Sequence, residues 1–345
     1  MNVLVSTIYP ELNIQNKLFD PSCLSIGFDI LAPYALLWSL AADHGIYLYT
    51  PDLLAYEDAD ACLFVELSRL NLPLLVSSIR NQCPRLLIAM ESPSASSFSH
   101  SPAFQQLFQF VYSWAKPSAL SLQGLYRKLS YAVPSTSIAS PPFVLRKFAS
   151  MIASNKCSSH PSELYSLRRQ IIGWYYAHYP TLFDLYGHGW NRPACFTDSN
   201  PLVCFAKLAS CLRRPFYRSP ASFVGSTPDK RITLGSYKFS FCFENIASHD
   251  NYLTEKIFDC LLAKTIPIYY GAPNIGDLIP ASCFIDFRAF DSFRDLHDFL
   301  VDIDERTYCS YLQSASEFLG SASFTSFSPE AFASNILEGL IELSS

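Results

Sequence analysis

Strand-like and helix-like segments alternate along the whole chain, and no other feature restricts its fold as strongly. Apolar runs that fit short strands lie near 2–6, 46–49, 61–66, 85–90, 109–113, 148–153, 183–187, 237–243, 266–270 and 283–287. Segments with helical periodicity lie between or after them, at 30–42, 103–108, 162–178, 252–264 and 328–343. This rhythm is typical of βα units, whose strands form parallel sheets. The sequence therefore predicts an α/β protein.

A chain of 345 residues is too long for one ordinary hydrophobic core, so we expect two domains. The stretch VPSTSIASPPF at 133–143 is rich in proline and serine, which makes it the best candidate for a hinge between them. We predict an N-terminal domain over 1–145 and a C-terminal domain over 146–325. The last segment, 326–345, contains a Ser-Pro pair that suits the start of a final helix.

Composition and charge disfavour several classes of protein. The formal net charge is −5, whereas nucleic-acid-binding proteins usually present a basic face. The eleven cysteines form no CxxC pair and no metal-ligand spacing, which favours buried reduced thiols over a disulfide framework. The N-terminus reads as a strand rather than a signal peptide, and the apolar stretch 30–42 is shorter than a membrane span. We expect a cytoplasmic protein without a transmembrane segment, for which peripheral membrane association stays open.

The stretch FENIASHDNYLTEKIF at 243–258 places polar residues between a strand and a helix. Asp250 or Asn251 is the expected helix cap, and Leu253, Ile257 and Leu261 give the helix one buried face. In parallel α/β sheets ligands bind at the carboxyl ends of strands, and helix N-termini there favour anions. The residues around that point are Glu244, Asn245, Tyr252, Glu255 and Lys256. The pattern alone equally fits a solvated Glu255–Lys256 pair on a helix surface.

Motifs for several other chemistries are missing from the sequence. It contains no GxGxxG and no GxxxxGK[ST], which disfavours hydride transfer with NAD and phosphoryl transfer by a P-loop. It contains no HExxH or comparable cluster for a catalytic metal. A nucleotide-linked ligand whose phosphate departs during a transfer reaction fits the remaining features, because a lysine, an arginine and a helix N-terminus can stabilise the leaving charge.

Such a transfer also needs a base, and the candidate is Glu91. Glu91 follows the apolar run in PRLLIAMESP, so its carboxylate lies at the carboxyl end of a predicted strand. Glu66 follows the strand-like ACLFV, is in a similar setting and competes for the role. The residues alone also fit an ordinary loop carboxylate at Glu91.

The segment YKFSFCFENIASHDNYLTEKIFDCLLAKTIPIYYGAPN resembles the signature of the α-1,3-fucosyltransferases, the inverting GDP-fucose-dependent enzymes of glycosyltransferase family 10. The shared pattern is a YKF…FEN strand, a polar loop, a Y-x-TEK helix start and a P-[IV]-x-x-G strand and turn. Weaker matches are MIASNKCSSHPSELYSLRRQII, FDLYGHGWN and IAMESP. The resemblance extends over about 150–290 and is thin before about 85.

The resemblance implies donor-binding roles for residues of this segment. Lys256 is expected to place its charge on the diphosphate, and Glu255 to hydrogen-bond the sugar hydroxyls. An arginine at the start of the 162–178 helix is expected to offset the leaving charge, with Arg168 preferred and adjacent Arg169 not excluded. Lys230 is a further phosphate contact or, equally, a surface lysine. The remaining expected pocket residues are Glu244, Asn245, Tyr252 and Thr254.

The resemblance further implies a GT-B-like fold, in which two Rossmann-like domains with parallel sheets face a central cleft. Glu91 would deprotonate a hydroxyl of a glycan acceptor, whose oxygen then displaces GDP from GDP-β-L-fucose with inversion of the anomeric carbon. The acceptor hydroxyl is expected to be O3 of N-acetylglucosamine or glucose. The final helix is expected to pack back on the N-terminal domain. No cofactor is obligatory, no protein metal ligands are expected, and stimulation by Mg²⁺ or Mn²⁺ stays open.

Three alternatives and one gap remain at this stage. The same fold could form an α-1,4 link, could use another GDP-sugar, or could belong to a non-catalytic sugar-nucleotide-binding relative. The chain lacks the membrane anchor of Golgi members and the charged heptad repeats of some bacterial ones, so it resembles the soluble bacterial or viral type. Segment 191–227 matches no part of the family pattern.

Overall fold

A computed structural model gives the architecture of residues 1–23, 30–117, 122–134, 136, 138–196, 218–227 and 229–344. The chain divides into two compact units. The first comprises Met1–Pro134 and Thr325–Ser345, and the second comprises Ser135–Phe324. Most of segment 191–227, which resembles no part of the family pattern, lies outside the described residues.

The first unit is built on a six-stranded parallel sheet in the order β2-β1-β3-β4-β5-β6. Its strands are β1 Asn2–Thr7, β2 Tyr47–Tyr49, β3 Ala61–Val65, β4 Arg85–Ala89, β5 Phe110–Ser113 and β6 Tyr126–Lys128. Its helices are α1 Ala32–Asp43, α2 Leu72–Arg80 and α3 Pro102–Gln105. The central strands β3 and β4 are almost wholly buried, as parallel strands covered on both faces are. Because β3 and β4 are neighbours, the segments that follow them begin side by side.

The second unit contains another six-stranded parallel sheet, in the order β11-β9-β7-β12-β13-β14. Its strands are β7 Lys147–Ile152, β9 Phe183–Tyr186, β11 Phe223–Gly225, β12 Tyr237–Phe243, β13 Ile266–Tyr270 and β14 Ile285–Asp286, and β8 Lys156–Cys157 pairs separately with β10 Cys195–Phe196. The helices are α4 Tyr165–His178, α5 Lys230–Gly235, α6 Glu255–Leu262, α7 Ile275–Leu278, α8 Phe293–Asp302 and α9 Glu305–Leu319. Short helix α10, Ala322–Thr325, follows at the unit boundary. Strand β12 lies between β7 and β13 in the middle of the sheet, so the loop after it is central as well.

The final helix, α11 Pro329–Ser344, belongs to the first unit and packs against α1. The ring of Phe332 meets that of Tyr34 edge to face, with centroids 5.3 Å apart. Gly339 allows a close approach to β5, because a Cβ there would lie 3.1 Å from Cζ of Tyr112 and nearer still to its hydroxyl. The core of the first unit therefore depends on a helix from the far end of the chain.

The structure differs from the sequence-based elements mainly near the chain's later helices. The predicted strand 283–287 is reduced to Ile285–Asp286, and helices α2, α8 and α9 were not predicted. Capping signals for two of them are present, since the Ser292 hydroxyl accepts from Asp295 N at 3.1 Å and Asp304 Oδ1 from Thr307 N at 2.8 Å. Short polar caps thus mark the starts of both helices.

The structure also bears on the cysteines and on membrane insertion. Cys62 and Cys242 are buried free thiols, as the sequence predicted. The Sγ atoms of Cys62 and Cys83 lie 3.7 Å apart, in contact but not bonded. Within the described ranges, no helix combines the length and apolarity needed to cross a membrane.

Candidate active site

Glu244, a fully buried carboxylate in the second unit, directly follows the last residue of β12. Its Oε1 accepts a hydrogen bond from the Thr254 N–H at 2.9 Å, and its Oε2 accepts one from the Thr254 hydroxyl at 2.8 Å. Gly271 makes room for this side chain, because a Cβ at that position would lie 2.5 Å from Cγ of Glu244 and 2.4 Å from the Tyr269 hydroxyl. The glycine of the P-[IV]-x-x-G pattern is therefore a packing requirement of the carboxylate.

Helix α6 begins at Glu255 with Thr254 as its cap, and the Thr254 hydroxyl accepts from the Lys256 N–H at 3.5 Å. The prediction that Asp250 or Asn251 caps this helix was wrong. Asn251 has a left-handed φ of 64° and exchanges hydrogen bonds with Asn274 instead. Glu244 explains the later start, because it binds both the N–H and the hydroxyl of Thr254 and so fixes that residue at the cap.

Lys256 points back from the first turn of α6 toward the buried carboxylate. Its Nζ lies 3.2 Å from Oε2 of Glu244 and donates to the Thr254 hydroxyl at 2.9 Å. Its side chain is 26% exposed, whereas that of Glu244 is 0% exposed. Burial alone would lower the pKa of Lys256, but Glu244 and Glu255 raise it above its ordinary value. The lysine therefore stays protonated beside a helix N-terminus, an arrangement that attracts anions.

Two further charges complete this region from α5. Lys230 Nζ lies 3.8 Å from Oε1 of Glu255 and 3.9 Å from Oδ2 of Asp259, and Arg231 Nε lies 3.5 Å from Oδ1 of Asp259. Burial would raise the pKa of Glu255, but Lys256 and Lys230 hold it at about 2. Burial raises the pKa of Asp259 to about 6, against the charge of Lys230. Lys230 is thus the first residue of a helix and an ion-pair partner.

Sequence reasoning missed Asp259 and Arg231. The available signals were local: Asp259 lies four residues after Glu255 on the same helix face, and Arg231 directly follows Lys230. Arg231 precedes the segment that resembles the family, and Asp259 lies within it but at no position of the shared pattern. Only the packing of α5 against α6 therefore reveals the cluster.

Arg168, on α4, is buried and holds the end of β12. Its Nη2 donates to the carbonyl oxygens of Phe243 at 2.5 Å and Glu244 at 2.8 Å, and to Oδ1 of Asn245 at 3.2 Å. Arg169 is more exposed, and its Nη1 donates to the Lys156 carbonyl at 2.6 Å. Arg168 is thus buried against the end of β12, whereas Arg169 is partly exposed. The preference for Arg168 as the diphosphate contact stays a prediction.

Asn245 and Tyr252 bridge the loop between β12 and α6. The Asn245 Nδ2 donates to the Tyr252 hydroxyl at 3.4 Å, and the Asn245 carbonyl accepts from the Leu164 N–H at 3.0 Å. Tyr252 is itself 1% exposed. The structure therefore brings together Arg168, Glu244, Asn245, Tyr252, Thr254 and Lys256, and joins Glu255 and Lys230 to them through ion pairs.

In the first unit, Glu91 follows the carboxyl end of β4 and is half-buried. Its Oε1 accepts a hydrogen bond from the Tyr9 hydroxyl at 3.3 Å, and its backbone carbonyl lies 2.6 Å from Nε2 of His100. Tyr9 follows β1, so loops after two strands of one sheet contact each other here. The half-buried carboxylate therefore lies at the carboxyl-end edge of the first sheet.

Glu66 follows the neighbouring strand β3 and is only 3% exposed. Its Oε1 accepts from the backbone N–H groups of Met90 at 2.5 Å and Glu91 at 2.7 Å. Burial raises the pKa of Glu66, while these hydrogen bonds act in the opposite direction. The two candidate bases are therefore adjacent, and one of them binds the backbone of the other.

No group of three or more His, Cys, Asp or Glu side chains among the described residues is arranged to hold a metal ion. The expectation that protein metal ligands are missing, and the question of stimulation by Mg²⁺ or Mn²⁺, both stay predictions. Diphosphates often bring their own metal ions, so a dedicated protein cage is not required for such an effect.

Known fucosyltransferases are similar in sequence to the part of the chain that contains this lysine and helix N-terminus. Residues 211–328 match the C-terminal domain model of glycosyltransferase family 10, the fucosyltransferases. The alpha-(1,3)-fucosyltransferase FucT of Helicobacter pylori is 29% identical over 139 residues, which cover 31% of this chain and 28% of that protein. GDP-fucose protein O-fucosyltransferase 3 of Canis lupus familiaris is 26% identical over 224 residues, covering 62% of this chain and 40% of the relative. These matches span less than half of either relative's length.

Comparison with solved structures extends the likeness to the whole chain at low sequence identity. A crystal structure of an α1,3-fucosyltransferase with GDP has a TM-score of 0.53 and 16% identity, over 98% of this chain and 90% of the other. The Anabaena protein Alr3699/HepE, in complex with UDP-glucose, has a TM-score of 0.57 and 12% identity, over 99% of both chains. This likeness, with the two parallel sheets, confirms the predicted α/β, GT-B-like fold with two Rossmann-like domains. Residues 211–328 of this chain therefore resemble the C-terminal domain of the glycosyltransferase family 10 fucosyltransferases.

Proposed function

We propose that this protein transfers L-fucose from GDP-β-L-fucose to a hydroxyl of a glycan acceptor with inversion at the anomeric carbon. The observation that carries the proposal is the cluster of Lys256, Thr254 and Glu244 at the start of α6, inside the segment that matches the family domain. It combines a protonated lysine with a helix N-terminus, which suits the diphosphate of a sugar nucleotide.

The donor region would act by stabilising GDP as it leaves. The ammonium of Lys256 contacts Glu244, but the side chain is still 26% exposed. The ammonium can therefore also contact a bound phosphate. Glu255 accepts hydrogen bonds from the sugar hydroxyls in this proposal, while Lys230 balances its charge or reaches the phosphate. Stabilising charge that develops on a leaving group is commonly the largest contribution of such a site to the rate.

Glu91 is the proposed base. It takes the proton from the acceptor hydroxyl, the acceptor oxygen forms a bond to C1 of fucose, and the bond from C1 to the diphosphate oxygen breaks. GDP leaves with the electron pair of that bond, and the single displacement turns the β-linked donor into an α-fucoside. The half-buried setting of Glu91 and its contact with Tyr9 support this role, since both orient the carboxylate.

The proposed acceptor atom is O3 of N-acetylglucosamine or glucose, as in the α-1,3-fucosyltransferases that the chain resembles. A second acceptor class, a hydroxyl group of a protein, is favoured by the match to GDP-fucose protein O-fucosyltransferase 3 over 62% of this chain. We further propose a cytoplasmic location, which the buried free thiols support.

The test is GDP release from GDP-fucose in the presence of lactose, N-acetyllactosamine, the isomeric type-1 disaccharide or a serine- and threonine-containing folded protein domain. We expect release that depends on one of the disaccharides, with the linkage read by NMR of the product. Release that depends only on the protein acceptor would replace the glycan proposal with the second one. Binding of GDP-fucose without release in any mixture would contradict transfer to all of these acceptors.

A matched control separates chemistry from donor binding. Glu91→Gln keeps the shape of the side chain and removes the base, so it should bind GDP like the wild type and release none above background. Hydrolysis of GDP-fucose that persists in this variant would reveal a contaminating or acceptor-independent reaction.

A further inference from the structure

We infer that Glu66 is a positioning residue that fixes the backbone of Glu91 from the neighbouring strand. This inference rests on the proposed function, because it assigns Glu66 a part in the same transfer reaction. It also separates the roles of two carboxylates that the sequence left in competition.

The first support is the hydrogen bonding of the Glu66 side chain. One carboxylate oxygen, Oε1, accepts from two successive backbone N–H groups, those of Met90 and Glu91, at 2.5 and 2.7 Å. The carboxylate therefore holds the peptide units immediately before Glu91 against the end of β3.

The second support is the backbone of Glu66 itself. Its φ is +66°, in the left-handed region that non-glycine residues seldom adopt. Such a conformation is strained and persists where surrounding contacts enforce it. The neighbouring Asn71 contributes one such contact, since its Nδ2 donates to the Glu66 carbonyl at 2.9 Å. The strained turn aims the Glu66 side chain at β4 rather than along β3.

The third support is that the other backbone groups around Glu91 are held as well. The Met90 carbonyl accepts from Trp114 Nε1 at 2.8 Å and from the Tyr131 hydroxyl at 2.7 Å. The Glu91 carbonyl accepts from Nε2 of His100, which must therefore carry its proton on that nitrogen. With the peptide groups on both sides fixed, the remaining freedom of Glu91 is in its side chain, whose Oε1 the Tyr9 hydroxyl contacts.

Exposure decides which carboxylate meets the acceptor. Glu66 is 3% exposed and its Oε1 accepts from two amides, so the side chain is shielded from a sugar hydroxyl. Glu91, by contrast, is only half-buried, so part of its side chain is accessible to an acceptor. Loss of the Glu66 contacts would let the base drift, and a displacement of about 1 Å can reduce a rate roughly a hundredfold.

The experiment compares Glu66→Gln, Glu66→Ala and Glu66→Met with the wild type. Gln retains an oxygen that can accept from both amides, Ala removes the acceptor, and Met removes it while filling nearly the same volume. The readouts are kcat and KM for transfer, the affinity for GDP by calorimetry, and the exchange rates of the Met90 and Glu91 amide hydrogens. Thermal unfolding of each variant shows whether Ala or Met merely prevents folding.

For the Gln variant we expect kcat within about fivefold of the wild type and protected amides, because its oxygen replaces the acceptor. For Ala and Met we expect a kcat about a hundredfold lower, fast exchange at both amides, and unchanged GDP affinity. Loss of kcat in Gln equal to that in Met, with its amides still protected, would overturn the inference, because charge rather than position would then be required. Wild-type kcat in a folded Ala or Met variant would overturn it as well.

The amide readout keeps this inference apart from the function on which it rests. If the wild type transfers no fucose, the proposed function fails. The exchange of the Met90 and Glu91 amides still decides whether Glu66 holds that loop. Protection in folded Met and Ala variants equal to the wild type would overturn the positioning role whatever the reaction.

Discussion

The two units carry buried carboxylates in contrasting environments. In the first unit, Glu66 is met by backbone N–H groups, which supply partial positive charge in fixed places. In the second unit, Glu244 is met by the ammonium of Lys256, and Glu255 and Asp259 are met by Lys230 and Arg231. Amide contacts fix a position, whereas ion pairs leave movable charges that an incoming anion can rearrange.

This contrast matches what the proposed transfer would require of its base and of its diphosphate site. A base has to be held still relative to a neutral hydroxyl, and backbone hydrogen bonds can fix the main chain that carries it. A diphosphate site has to gain and lose negative charge during each turnover, and a lysine already paired with a buried carboxylate stays protonated throughout. Variants of the two kinds of carboxylate environment should affect catalysis, stability and GDP binding differently, and the largest expected effect is at Glu91.

Glu91→Gln should reduce transfer by about a thousandfold, because general-base catalysis typically contributes about 10² to 10⁴ in rate. The affinity for GDP should stay within about twofold of the wild type, since Glu91 and the donor cluster belong to different units. Steady-state GDP release and calorimetry give the two numbers. An equal loss of GDP affinity would mean that Glu91 serves donor binding, and the contrast between the units would break down.

Arg168→Met should lower the free energy of unfolding by about 3 kcal/mol, because it leaves the buried carbonyls of Phe243 and Glu244 without their donor. Its matched control is Arg169→Met, for which we expect a change of about 0.5 kcal/mol or less, as for other partly exposed positions. Urea unfolding of both variants measures the difference. Comparable losses in the two would show that Arg168 has no special place at the end of β12.

Lys256→Met should weaken GDP binding about thirtyfold, because a charge-assisted hydrogen bond contributes about 1.5 to 3 kcal/mol. It should also destabilise the protein, since Glu244 is left as a buried charge without its cation. The double variant Lys256→Met/Glu244→Gln distinguishes the two effects. We expect it to regain stability but not GDP affinity, and recovery of both would remove Lys256 from the diphosphate site.

Glu255→Gln should have the smallest effect, and that effect should depend on pH. Burial raises the pKa of Glu255, but the positive charges of Lys256 and Lys230 outweigh this effect. They hold the pKa at about 2, below its ordinary value of 4.5. A lowered pKa stabilises the fold above about pH 4.5, and this stabilisation is lost as the pH falls toward about 2. Because the carboxylate is 31% exposed, we expect a loss of about 1 kcal/mol at pH 7 that shrinks in acid.

The control for this variant concerns Asp259, whose raised pKa of about 6 depends partly on the charge of Glu255. Thermal unfolding of Glu255→Gln in an Asp259→Asn background, between pH 7 and pH 3, removes that coupled titration. A difference from the parent that stays constant over this range would show that Glu255 contributes through packing and not through its charge.

The sequence predicted the sheets and the motif more closely than the contacts within them. Alternating apolar runs located β12 and β13 without error, because buried parallel strands are long apolar segments. The cap of α6 was missed, because Asp250 and Asn251 have the right side chains and only the distant Glu244 selects Thr254. The role of Glu66 was equally hidden, since it depends on amides 24 and 25 residues further along the chain. The local sequence pattern therefore predicts where strands lie. The roles of the polar residues depend on tertiary contacts that the pattern does not contain.

The return of α11 to the first unit has a consequence for the order in which the protein is made. The second unit is contiguous, so all of its strands are available once residue 324 has left the ribosome. The first unit is synthesised earlier, yet the face of α1 around Tyr34 stays uncovered until Phe332 is made. The first unit is thus translated first but completed last. Until α11 is made, the apolar surface that it covers stays exposed, and this is where we expect a chaperone to bind the nascent chain.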